Sequence, residues 1–204
     1  MRGFIYACSI ALIFETKIMP DTSTHEPGEL AAAAPHSFTL TDGTVVTIRA
    51  IQPEDSDIEQ EFVRSLSATS KRMRFFANLN ELSPKMLDRF THPLYPCNWA
   101  LIATVRNEDG EEEIGVSRYA SSADNRSAEL AVVVADQWQG KGIATHLLRE
   151  LIKIAKIAGI ESLEGVVLKE NYRMRKLVEK LGFTIQPRAN DDPSTIHVVK
   201  NLTA

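Results

Sequence analysis

Apolar and polar residues alternate through "FTLTDGTVVTIRAI" (38–51) on either side of Asp42-Gly43, which predicts a β-hairpin. Pro53, with the acidic Glu54, Asp55 and Asp57, marks a helix start, and Ile58, Phe62 and Leu66 carry that helix to about Ser67. Ser70 precedes a short helix in "KRMRFF", and Ser83-Pro84 opens another in "SPKMLDRF". Three strands follow, at 99–105, 113–120 and 128–135, the first two joined by the turn "NEDGE". Ile143, Leu147, Leu148, Leu151, Ile154, Ala155 and Ala158 then recur at helical spacing, with Gly159 in place to end the helix. "SLEGVVL" (162–168) reads as a buried strand. Asn171 caps a helix that buries Met174, Leu177, Val178 and Leu181 and stops at Gly182. "FTI" and "TIHVVKNL" close the chain as strands. The order is a hairpin, helices, then β-β-β-α-β-α-β-β, without internal repeats.

Residues 1–36 stand apart from this pattern. "GFIYACSIALIF" is apolar but too short to span a bilayer as a helix. It has the length of a signal-peptide core, yet the small-residue stretch "AAAAP" (31–35) lies far downstream. "PDTSTHEPGEL" between them has a linker composition. The preferred reading is a dispensable or mis-called N-terminal extension, with Met19 as another start, ahead of 37–204 as the single folded domain. A weak membrane-surface role for residues 3–14 is the alternative, without stable insertion.

Composition narrows the function. A formal net charge of −4 over 204 residues argues against nucleic-acid partners, which need a basic surface. The cysteines, Cys8 and Cys97, form no framework, which suits a cytoplasmic location. His25, His36, His92, His146 and His197 never fall at ligand spacing, so no metal is expected. Glu111–Glu113 reads as a solvated hairpin end.

The chemistry concentrates in "QGKGIATHLL" (139–148), between an apolar strand and a helix. It is not a P-loop, because Lys141 precedes the second glycine. It is not a dinucleotide fingerprint either, because Thr145 stands at the third glycine position. Backbone N–H groups from Gly140 to Ala144 open a helix and lack helical partners, which favours an anion at the positive end of the dipole. Gly140 and Gly142 allow close approach, so a diphosphate is the natural ligand. A merely tight strand-to-helix turn is the competing reading.

Gln139-x-x-Gly142-x-Ala144 resembles the acyl-CoA pyrophosphate motif of GNAT-family N-acetyltransferases, and the likeness extends from about Phe38 to Leu202. "TIRAIQPED", "SKRMRFF", "GVSRYA", "RSAELAVVVADQWQGKGIA" and "LGF" further resemble the acetyltransferase domain of bacterial protein lysine acetyltransferases. The resemblance implies an α+β (mixed α/β) GNAT fold. Its central twisted mixed sheet has about six to seven strands, flanked by about four helices. It implies acetyl-CoA as co-substrate and an amine acceptor, either a protein lysine or a small amine, in a monomer or dimer. Gln139, Gly140, Lys141, Gly142, Ile143 and Ala144 would hold the diphosphate. Val132, Val133 and Val134 would line the pantetheine arm, one backbone N–H there would polarise the thioester, and Asn171 would contact the arm as well as capping its helix. Lys141 or Arg175 would neutralise CoA phosphates, with an exposed helix charge as the plainer reading of each.

A lysine-type amine, with a pKa of ~10.4, arrives protonated and must lose a proton before it attacks a thioester. Glu129 is the expected general base: the resemblance to protein-acetylating members, which carry their base at the matching place in "AEL", implies it, and Ala128, Leu130 and Ala131 would partly desolvate it. An ion pair with Arg118 or Arg126 is the alternative. Where many family members carry an acidic tyrosine, this chain has Val178, and nearby Tyr172 is not a motif match, so no general acid is assigned. Cys97 has no histidine partner by pattern, with His92 read as a surface residue, so direct transfer is expected over a ping-pong route. A catalytically weak acetyl-CoA-sensing module is the remaining alternative.

Overall fold

The structure, a computed structural model, describes residues 34–77, 79–188 and 192–203. The readings of residues 1–33 lie outside these.

The hairpin forms as β1 (His36–Thr39) and β2 (Val45–Ala50), in register from His36↔Ile48 to Thr39↔Val45. A short 3-10 turn at Pro53–Asp55 leads into α1 (Ser56–Ser65). Helix α2 (Ala68–Phe75) starts earlier than the sequence predicts: Ser67, not Ser70, is its N-cap, and its hydroxyl accepts from the Ser70 N–H. Helix α3 (Pro84–Thr91) is capped by Ser83 as expected. Strands β3 (Asn98–Asn107), β4 (Gly110–Ser121) and β5 (Ser127–Val134) follow, then α4 (Ile143–Ile157), β6 (Ser162–Leu168), α5 (Tyr172–Lys180), β7 (Thr184–Ile185) and β8 (Thr195–Asn201).

All eight strands join one mixed sheet in the order β1-β2-β3-β4-β5-β6-β8-β7. The count is one above the expected six to seven, and the segment read as "FTI" forms β7, a two-residue strand beside β8. Helices α1–α3 bury Phe62, Val63, Leu66, Phe75 and Phe90 against Ala100, Ile102, Val116 and Val133 on one face. Helix α4 covers the other face, where Leu147, Leu148 and Leu151 meet Leu101, Ala103 and Leu130. Alternate residues of β3 therefore serve opposite layers, as the pleat requires. Helix α4 can seat this closely because β4 carries Gly115. A Cβ there would lie 3.2 Å from the Val133 carbonyl oxygen and 3.3 Å from Leu147 Cδ1.

The triple glutamate is not a solvated hairpin end. Glu111 accepts from Arg49 and Thr104, and Glu112 from Asn107. Glu113 is 3% exposed. A register shift between Ala103 and Thr104 accompanies its turn inward, toward Glu59 of α1. Burial first, and then the Glu59 carboxylate, push the Glu113 carboxyl well above its ordinary range.

Candidate active site

The sheet divides at β5. Strand β5 runs antiparallel to β4 from Ala128 to Val134, but its parallel ladder with β6 holds only Ser127↔Ser162, Ala128↔Leu163 and Glu129↔Glu164. Strand β6 then continues beside β8 alone. Among the described residues, Leu130–Val134 therefore have no strand partner on the β6 side. Backbone amide and carbonyl groups need partners, so this stretch is suited to a ligand that offers amides in extended form. Val132, Val133 and Val134 all fall within it.

At the end of β5 the chain makes a 3-10 turn, Asp136–Trp138, and enters the glycine segment. Gly140 has φ +82° and Gly142 φ +91°, a region that L side chains rarely adopt. No atom lies within 4 Å of the position a Cβ would take at either glycine, so the turn faces open space. Gly142 is the N-cap of α4, and its carbonyl accepts from Thr145 and His146. The N–H groups of Ile143 and Ala144, in the first turn, have no intrahelical acceptor. The positive end of the 15-residue helix α4 adds to them. This cradle can receive an anion, the role expected from the sequence for a diphosphate.

Gln139 braces the cradle. Its amide nitrogen donates to Ser70 Oγ and to the Val134 carbonyl, each at 3.1 Å, and its oxygen accepts from Arg173 at 3.0 Å. Asp136 accepts from the Ser67 backbone N–H and from both the Ser67 and Ser70 hydroxyls, and this tethers α2 to the turn. The Ser67 and Ser70 hydrogen bonds hold the Asp136 carboxyl below its usual range, against the opposing pull of burial.

Two expected phosphate cations are placed differently. Lys141 is bound to Asp42 at the hairpin tip and lies 4.8 Å from the Trp138 ring. Arg175 donates to the Lys169 carbonyl instead. Arg173 is the arginine of α5 that reaches the turn. Asn171 accepts from the Met174 N–H and so caps α5. Val178, in the place of a tyrosine, is buried in the core, and Tyr172 is exposed.

Glu129 shares its sheet face with Arg118, but Arg118 is bonded to Glu59 at 2.8 Å and stacks 4.0 Å over Phe90. Arg126 is paired with Glu161. Neither ion pair weighed for Glu129 is among these. One cation whose charge bears on Glu129 is Arg74, a buried arginine of α2. Burial first, and then Arg118, lower its pKa to about 10, with Glu59 and Glu129 opposing. Glu129 lines a cleft of about 200 Å³ with Ser121, Ser127, Glu164, Arg188 and His197.

The chain matches the family described as "Acetyltransferase (GNAT) domain" over residues 46–184. It belongs to the GNAT acetyltransferase family. It is 37% identical over 159 residues to an acetyltransferase of Pseudomonas aeruginosa, covering 78% of this chain and 85% of that one. A 70-residue stretch is 36% identical to Acetyltransferase Pat of Mycolicibacterium smegmatis, spanning 34% of this chain and 21% of Pat. The solved GNAT domain of S. lividans PAT superposes with a TM-score of 0.75 at 28% identity, over 87% of this chain and 99% of that domain. As a GNAT N-acetyltransferase, the protein transfers acetyl from acetyl-CoA to an amine. Among its described residues no helix is long and apolar enough to cross a membrane.

Proposed function

We propose that this GNAT domain, taken as residues 37–204, acetylates lysine side chains of proteins in the cytoplasm by direct transfer, with Glu129 as general base. The observation that carries the reading is the end of the β5–β6 ladder at Glu129. It sets a carboxylate at the point where β5 begins to offer backbone groups to an acyl-CoA arm. Acetyl-CoA supplies the activated acyl group as a thioester. The backbone of Val132–Val134 binds the pantetheine amides, and one N–H of this stretch polarises the thioester oxygen. The cradle from Gln139 to Ala144 holds the diphosphate, with Arg173 rather than Arg175 as the nearby cation. Asn171 meets the arm from the opposite side of the division. Glu129 takes the proton that the acceptor ammonium must lose.

A protein lysine is favoured by the resemblance of the "SKRMRFF", "GVSRYA" and "AELAVVV" segments to protein lysine acetyltransferases, and by the likeness to Pat and PAT. A small amine is the second reading, favoured by a 65-residue stretch 37% identical to a putative phosphinothricin acetyltransferase of Bacillus subtilis. An acetyl-CoA consumption screen against folded proteins, lysine peptides and small amines decides between them. The expected result is the highest kcat/KM with lysine-bearing proteins or peptides, and acetyl located on lysine Nζ by mass spectrometry. Turnover with small amines alone overturns the lysine assignment.

A further inference from the structure

Glu129 and Glu164 are direct neighbours on the last rung of the parallel ladder, and both side chains line the same cleft. Adjacent strands lie about 4.8 Å apart, so the two carboxylates stand side by side. Like charges placed directly across two strands are destabilising unless a cation meets them. Here one cation arrives from outside the sheet. Arg188 Nη2 donates to Glu164 Oε2 at 2.6 Å, and its side chain is more than half exposed at 56%. From the buried side, His197 Nε2 stands 3.3 Å from the same oxygen. His197 is 3% exposed, and its Nδ1 is buried without a hydrogen-bond partner.

We propose that Glu164 is an acceptor-binding residue, specific for amines that arrive as cations, and that Arg188 is a tethered stand-in which such an acceptor displaces. An alkylammonium has three N–H donors. Two carboxylates at strand spacing give it one acceptor on Glu129, which takes the proton, and one on Glu164, which holds the ammonium until then. His197 fixes the Glu164 carboxylate from beneath. The Glu164–Arg188 pair is solvent-accessible on the arginine side, so exchanging it for another cation costs little. The inference rests on the reading of Glu129 as the base at which the acceptor arrives.

The test compares two acceptors, Nα-acetyl-lysine amide, which is cationic at pH 7.5, and aniline, which is neutral there. For the lysine amide, Glu164→Gln is expected to raise KM about tenfold, the effect of losing a charge-assisted hydrogen bond, while kcat falls less. Arg188→Gln is expected to lower the same KM about threefold by freeing Glu164. Aniline kinetics should respond to neither change. A structural role alone would not move the two variants in opposite directions. A readout without turnover is the rise in melting temperature at saturating lysine amide, smaller in Glu164→Gln and larger in Arg188→Gln than in the wild type. Should Glu164→Gln fail to fold, Arg188→Gln carries both measurements. Equal KM values and equal thermal shifts overturn the proposal, as does a rise in KM in both variants. If Glu129→Gln keeps full kcat while Glu164→Gln raises KM, the base assignment falls and the acceptor site stands; the reverse pattern removes the acceptor site alone.

Discussion

Lys141 Nζ lies 2.7 Å from Asp42 Oδ2, so the lysine of the glycine cradle is held by the tip of the β1–β2 hairpin. Hydrogen bonding from Lys141, and next from Thr44, holds the Asp42 carboxyl below the usual range. A bound diphosphate must compete with this carboxylate for the lysine. Asp42→Asn is therefore expected to tighten acetyl-CoA binding by about two- to fivefold at low salt, the scale of an exposed ion pair. The gain should shrink at ~0.5 M salt. Calorimetric titration at two ionic strengths checks both points. Weaker binding in the variant would mean that the pair positions Lys141 instead of competing for it.

Gly142 tests the cradle itself. Its φ of +91° strains any L residue, while the space beyond it is open. Gly142→Ala carries the backbone cost alone, roughly 1–2 kcal/mol. Gly142→Asp adds a negative charge where the diphosphate approaches, and acetyl-CoA affinity should fall at least several-fold below that of the alanine variant. Titration of both variants, each checked for folding by circular dichroism, separates strain from charge. Equal affinities for the two would remove the phosphate reading.

Glu129→Gln keeps the size of the side chain but cannot take a proton. Near neutral pH kcat should fall by about 10²–10⁴-fold, with little change in acetyl-CoA affinity. Part of the rate should return at high pH, where the amine deprotonates unaided, and the acidic limb of the pH profile should flatten. Wild-type turnover across that range would sink the assignment of Glu129 as base.

Glu113 makes stability depend on pH in a defined sense. Its folded pKa is raised, by burial first and by Glu59 second. The contribution it makes to folding is thus fully present below the unfolded carboxyl value of about 4.3. It is lost as pH rises through the folded value. Glu113→Gln removes that loss. Melting temperatures of the two proteins should diverge as pH increases, with the variant higher by a few degrees on the alkaline side. Parallel melting curves would show that Glu113 does not titrate in the folded state over that range.

The glycine segment, the hairpin, the Ser83 cap and the strand–helix order were legible because each is written in neighbouring residues. What was not legible depends on how elements dock. Arg173 and Arg175 sit two positions apart on α5, about 200° around the helix, so only one can face the cradle. Nothing in periodicity says which. Glu113 reads as a hairpin-tip charge until the register shift in β3–β4 turns it toward Glu59. Arg74 looks like one more cation of "KRMRFF", and only the packing of α2 over β5 brings it near Glu129. Ser67 and Ser70 are both plausible caps. Asp136, sixty-nine residues from Ser67, engages both of them in tethering α2 to the turn.

The division of the sheet at Glu129 also has a price in solubility terms. Leu130–Val134 amounts to an internal edge, apolar and extended, of the kind that recruits strands from other chains. Its guards are already in place. The Asp136 and Gln139 bonds hold α2 beside it, and Arg72 of α2 is paired with Glu170, in the loop between β6 and α5. A stray strand would have to break these ties before it could dock. On the proposed reading, an acyl-CoA arm lying along this edge would cap it against other strands as well as react there.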